Sequence, residues 1–147
     1  MKKIVLVGCG RIFSRHVEAI NALDDFEIVQ VCDIIKKKAM FAAKKLGVTY
    51  VTNYKKITSA DVVVVLTPSG YHPIHATEIA EQTDALNILV EKPISLTLRE
   101  AYEMFDRISR TGKNLLPVYQ NRYNPLIVFM KNLIDSGKLG NIYQFVS

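Results

Sequence analysis

Five short apolar runs, each closed by glycines or a polar cluster, constrain this 147-residue chain more than any other feature. Residues 4–7 lead into Gly8-Cys9-Gly10, and residues 28–32 end at Asp33. Residues 62–66 end in Thr67-Pro68-Ser69-Gly70, residues 88–90 in Glu91-Lys92-Pro93, and residues 115–119 in Gln120-Asn121-Arg122. Short β-branched runs without polar alternation are strands buried on both faces, as in parallel sheets. Residues 48–51 read as a shorter strand near an edge. Pro117 makes the fifth run an edge candidate, because proline donates nothing to a ladder.

Helical patterns fill the gaps. Ala39, Ala42, Ala43 and Leu46 follow i, i+3, i+4, i+7, with Gly47 as a natural stop. Leu98, Ala101, Tyr102, Phe105 and Ile108 form a similar stripe, opened by the capping-box pattern Thr97-Leu98-Arg99-Glu100 and closed by Gly112. Leu126, Phe129, Met130, Leu133 and Ile134 mark a last helix ending at Gly137. Strands alternating with crossover helices predict an α/β, doubly wound, mostly parallel sheet with helices on both faces. Residues 141–147 alternate like a strand and suggest the start of a second domain.

Bulk properties exclude several classes. No apolar run approaches the roughly 18 residues of a membrane span. The apolar start at residues 4–7 is too short for a signal peptide, so the expected location is cytoplasmic. Two cysteines, Cys9 and Cys32, are too few for a small secreted scaffold. Net charge is +5, but the lysine groups at 36–38, 44–45 and 55–56 fall on separate helices and turns. That spread argues for solvated faces and against a nucleic-acid partner.

Gly8-Cys9-Gly10 follows a buried strand and opens a helix, the context in which a glycine turn binds a pyrophosphate. Gly8 permits the tight turn, and Gly10 lets the backbone approach the phosphates. An ordinary strand-to-helix turn would show the same pair. The third position of the G-x-G-x-x-G pattern is Phe13, whose ring should push the helix off the sheet or turn elsewhere. Asp33, 23 residues after Gly10 at the end of the second strand, suits the hydroxyls of an adenosine ribose. It would repel a 2′-phosphate, which favours NAD over NADP, although Lys36 to Lys38 could reach such a phosphate. Asp33 could equally serve the start of the following helix.

Ligands of open α/β sheets sit beyond the carboxyl ends of the strands. Three polar clusters should therefore line one rim: Thr67-Pro68-Ser69, Glu91-Lys92-Pro93 and Gln120-Asn121-Arg122. Lys92 suits proton exchange with a substrate hydroxyl, or else a surface ion pair with Glu91. His72 and His75 are spaced for a shared metal, but no carboxylate or thiol joins them, and no metal site is expected. His72 is expected to face the cofactor rim and His75 to pack with Ile79. His16 shares a helix face with Phe13, Val17 and Ile20, and reads as a satisfied core histidine.

These residues resemble the Gfo/Idh/MocA oxidoreductases. The marks are Gly8-Cys9-Gly10-Arg11-Ile12 with His16, Thr67-Pro68-Ser69-Gly70-Tyr71-His72, and above all Glu91-Lys92-Pro93. The segment Gln120-Asn121-Arg122-Tyr123-Asn124-Pro125 is most similar to the UDP-N-acetylglucosaminuronate 3-dehydrogenase branch, which serves surface-polysaccharide synthesis. The resemblance implies an NAD(P)-binding Rossmann domain over residues 1–123. It implies a connecting helix and first strand of a C-terminal α/β domain over 124–147, the rest of that domain being absent. By the same resemblance Lys92 would be catalytic, beside nicotinamide and substrate. Gly8, Gly10, Arg11, Ile12, Asp33, Thr67, Pro68, Ser69, His72, Glu91, Pro93 and Gln120 would hold the cofactor. Asn121, Arg122 and Tyr123 would face a sugar or UDP-sugar. The full-length form would be a homo-oligomer, and this chain alone would bind dinucleotide with little turnover. A non-catalytic dinucleotide-sensing module is the alternative.

Overall fold

The computed structural model describes residues 1–144 and 146. Its strands are β1 (Lys2–Val7), β2 (Phe26–Cys32), β3 (Thr49–Val51), β4 (Val62–Val65), β5 (Asn87–Val90) and β6 (Asn114–Pro117). They form one sheet in the order β3-β2-β1-β4-β5-β6, and every pairing is parallel. The helices are α1 (Phe13–Asn21), α2 (Lys36–Leu46), α3 (His72–Gln82), α4 (Leu98–Arg110) and α5 (Pro125–Asp135). The expected edge strands, β3 and the proline-bearing β6, are the two edges.

The continuous apolar runs hide a period of two. Ile4 and Leu6 of β1 pack with Ile20 of α1 and with Ala42 and Ala43 of α2. Val5 and Val7 pack on the opposite face, with Ala76, Ile79 and Ala80 of α3 and with Met104 and Ile108 of α4. Residues 4–7 of β1 are therefore buried on both faces, which is why no polar alternation is visible there. Burial of a large aliphatic side chain contributes about 1.5–3 kcal/mol, so these two layers dominate stability. Polar residues buried among them find partners, and Gln30 of β2 is an example. Gln30 is buried, but its amide donates to Thr49 Oγ1 and accepts from Thr58 N, so no polar atom is stranded.

The chain winds outward from β1 through β2 to β3, then returns across the sheet to β4. The point of reversal lies between β1 and β4, and there the connections diverge to opposite faces. A crevice opens above the carboxyl ends of these two strands.

The structure departs from two expectations, at α4 and at the end of the chain. The stripe on α4 is two stripes: Met104 and Ile108 are buried, while Leu98, Tyr102 and Phe105 are exposed. Positions 104 and 108 share one face with 101, whereas 98, 102 and 105 lie one step around the helix. Spacing alone cannot choose between adjacent faces. On α5 the apolar face is present but uncovered, with Leu126, Phe129 and Met130 exposed. The tail forms no strand over residues 141–144, because no described element offers it a ladder; Phe145 and Ser147 lie outside the described residues.

The capping box opening α4 is complete. Thr97 Oγ1 accepts from Glu100 N, and the Glu100 carboxylate accepts from Thr97 N. Thr97→Ala is expected to cost about 1 kcal/mol, read as a lower urea midpoint at unchanged slope.

Candidate functional site

Gly8 has a φ of 107°, and a Cβ there would stand 2.7 Å from the carbonyl carbon and oxygen of Leu66. Its N–H donates to Cys32 O at 2.7 Å. The turn after β1 is thus wedged between the ends of β2 and β4. Only a residue without a side chain fits a left-handed conformation at that contact distance. Gly10 differs. It is exposed, and nothing lies within 4 Å of where its Cβ would be.

Among the described residues, the N–H groups of Gly10, Arg11 and Ile12 have no protein acceptor. They precede α1, whose N-terminus carries the positive end of the helix dipole. Free donors, open space and positive potential together suit the diphosphate of a dinucleotide.

Asp33 closes the same turn from the other side. Its Oδ2 accepts from Cys9 N and its Oδ1 from Ile35 N, each at 2.8 Å. The carboxylate therefore also orders the backbone before α2, although the helix itself begins at Lys36 without a side-chain cap. Each oxygen retains a second lone pair for an outside hydroxyl. Lys38 stands near, lining a crevice of about 280 Å³ with Cys9, Gly10, Phe13 and Phe41. Phe13 has turned toward α2 and packs beside the Ile20–Ala42 layer, so it neither blocks the turn nor lifts α1. Burial, followed by the charge of Asp33, pushes the Cys9 and Cys32 thiols up to about 12. Both stay neutral and unreactive at physiological pH.

The carboxyl rim gathers the other clusters. Lys92, Tyr119, Gln120, Asn121, Arg122 and Ile127 line an open cavity of about 460 Å³. The Lys92–Pro93 peptide is cis. The Arg122 guanidinium lies 6.0 Å from the centre of the Tyr119 ring. Tyr123 is exposed and does not line this cavity. Tyr119 and Ile127 escaped the sequence reading, Tyr119 because it reads as the end of the fifth strand and Ile127 because it falls outside the stripe of the last helix. Two cationic side chains at one mouth attract anionic ligands.

Glu91 makes no ion pair with Lys92. Its side chain turns inward, where Oε1 meets His16 Nε2 and Oε2 accepts from Lys92 N, both at 2.8 Å. His16 is indeed satisfied, but by a carboxylate 75 residues away. A polar residue on the apolar stripe of α1 was the only sequence signal for that contact.

His72 departs from expectation. His72 does not face the rim: it is 1% exposed, with Nδ1 2.7 Å from Pro93 O and Nε2 2.6 Å from Thr67 O. It sits on the buried stripe of α3 with Ala76, Ile79 and Ala80, because 72, 76, 79 and 80 share a helix face. From beneath, it ties the turn after β4 to the turn after β5. His75 meets Thr67 Oγ1 at 2.9 Å and stacks on Tyr71. Burial lowers its proton affinity. Of the Thr67-Pro68-Ser69 turn, Pro68 is exposed at the rim, while Thr67 is held by both histidines.

Two substitutions probe this framework. Gly8→Ala is expected to cost about 1–3 kcal/mol from backbone conformation alone, plus the clash with Leu66. His72→Leu removes the buried ring that contacts the carbonyls of Thr67 and Pro93, and losing a buried hydrogen bond there is expected to cost about 1–3 kcal/mol. Denaturant unfolding should rank both well below the unmutated chain.

Comparison with known proteins agrees with this geometry. The model of the Gfo/Idh/MocA family, described as an oxidoreductase family with an NAD-binding Rossmann fold, matches residues 2–119. The chain is 30% identical over 143 residues to glucose-6-phosphate 3-dehydrogenase of Bacillus subtilis, covering 97% of this chain and 40% of that protein. It is 33% identical to the rhizopine catabolism protein MocA of Rhizobium meliloti, covering 96% and 44%. Among solved structures it resembles the WlbA dehydrogenase from Bordetella pertussis, crystallised with NADH and UDP-GlcNAcA. The TM-score is 0.90 at 32% identity, covering 96% of this chain and 44% of that one. The chain thus spans less than half the length of these relatives. With its glycine turn, its acidic second-strand end and its Glu-Lys-Pro rim, the chain belongs to the Gfo/Idh/MocA oxidoreductases and has their NAD-binding Rossmann fold.

Proposed function

We propose that this chain is the cofactor-binding part of an NAD-dependent dehydrogenase acting on a hydroxyl of a sugar or sugar nucleotide. The observation that carries the reading is the cavity joining Lys92 to Gln120, Asn121 and Arg122 on the strand rim that also holds the Gly8–Gly10 turn. Free N–H groups at residues 10–12 would receive the diphosphate, and Asp33 the adenosine ribose hydroxyls. Thr67, Pro68 and Ser69 would border the cofactor, with His72 fixing their backbone from below. Gln120 and Pro93 would flank its nicotinamide end.

When bound, the dinucleotide supplies the hydride acceptor or donor. The chain's own groups then handle position and proton. Lys92 reaches the rim on an exposed stem, where its nitrogen can exchange a proton with the substrate hydroxyl oxygen. Arg122 offers a planar fork of donors to a phosphate or carboxylate on the sugar. Asn121 lines the same cavity, while Tyr123, exposed on the same turn, would meet only a substrate that extends beyond it. The phosphorylated sugar and the nucleotide sugar acid named with two relatives support an anionic substrate. Asp33 favours NAD, since a 2′-phosphate would meet a carboxylate. Productive turnover needs substrate contacts from the part of the relatives' length that this chain does not span. The whole enzyme fits a cytoplasmic homo-oligomer of polysaccharide synthesis.

Titration of NADH fluorescence against the chain tests the reading. Asp33→Ala should weaken binding about tenfold or more, the loss of hydrogen bonds to a charged group, and should narrow the preference over NADPH. Lys92→Ala should cost less, since its nitrogen lies at the nicotinamide end. Unchanged affinity in Asp33→Ala would overturn the ribose assignment.

A further inference from the structure

The geometry points to His16 as a positioning residue that couples the diphosphate-binding helix to the catalytic turn, acting through Glu91. The inference rests on the proposed role of Lys92. His16 lies on the second turn of α1, one helical turn past the free N–H groups. Its Nε2 is 2.8 Å from Glu91 Oε1, and the side chains are 14% and 12% exposed. The other oxygen of the same carboxylate accepts from Lys92 N at 2.8 Å. One carboxylate thus holds the helix under the cofactor with one oxygen and the backbone of Lys92 with the other.

The bond from Glu91 to the next residue's N–H folds the side chain back over its own backbone. In a largely buried place, such a carboxylate keeps that pose only while a donor satisfies its other oxygen. His16 is that donor. Without it, Oε1 is left buried and unpaired, and the carboxylate must rotate toward water. Rotation strips Lys92 N of its acceptor. Among the described residues no other side chain bonds to the Glu91 carboxylate, so nothing replaces His16. The consequence is directional. Movement of α1 on seating a diphosphate reaches Lys92 by this route.

Amide spectra of the ¹⁵N-labelled chain test the link. His16→Ala should make the Lys92 amide exchange about tenfold faster or more, the loss of one hydrogen bond to a charged group. His16→Gln, whose amide can donate from nearly the place of Nε2, should restore protection. With NADH added, the Lys92 amide should shift in the unmutated chain and in His16→Gln but not in His16→Ala. The Gly10 amide should shift in all three. NADH affinity should fall about three- to tenfold in His16→Ala and recover in His16→Gln. Lys92 protection unmoved in a folded His16→Ala would overturn the inference. So would a folded His16→Gln whose Lys92 amide exchanges fast. Should His16→Ala fail to fold, His16→Gln alone decides. Failure of the unmutated chain to bind NADH would sink the cofactor reading instead, and the cofactor-free exchange measurement would still judge the His16 link.

Discussion

The rim of this domain depends on a steric fact at Gly8, where the first loop presses against the backbone of Leu66 at a distance no Cβ tolerates. The contact holds the ends of β1 and β4 together at the place where the chain changes direction across the sheet. From it follow the turn that leaves three N–H groups free, the position of Cys9, and the reach of Asp33 back to Cys9 N. The carboxylate and the glycine turn are therefore one unit. Each fixes the other before any ligand arrives, which lowers the ordering cost of binding.

A second set of contacts supports the chemical end of the rim from below. His72 bridges the carbonyls of Thr67 and Pro93, and Glu91 bridges His16 and Lys92 N. Both ring nitrogens of His72 meet a carbonyl oxygen, so the ring is held at both ends. These residues carry polar groups into the core without leaving one unsatisfied. The rim can then keep an exposed lysine in place without spending an ion pair on it. Lys92 stays available because Glu91 is occupied elsewhere.

The exposed apolar face of α5 and the Leu98, Tyr102 and Phe105 side of α4 mark where the described residues do not complete their own burial. The relatives are more than twice as long as this chain. Sheet and rim nevertheless assemble from local βαβ units, whose cores close among β1–β6 and α1–α4.

Much of this was legible in the sequence because it is local. The apolar runs, the complete capping box at Thr97, the stop at Gly47 and the glycine turn each express propensities within a few residues. The spacing from Gly10 to Asp33 reflects one βαβ crossover. Tertiary structure alone decided matters that depend on distant partners. It turned His72 beneath the rim, joined His16 to Glu91 across 75 residues, set Phe13 against α2, and selected Met104 over Phe105 for burial. Periodicity says that a residue lies on a face. Which neighbour that face meets, and which lone pair takes which hydrogen, is set by the packing of whole elements against one another.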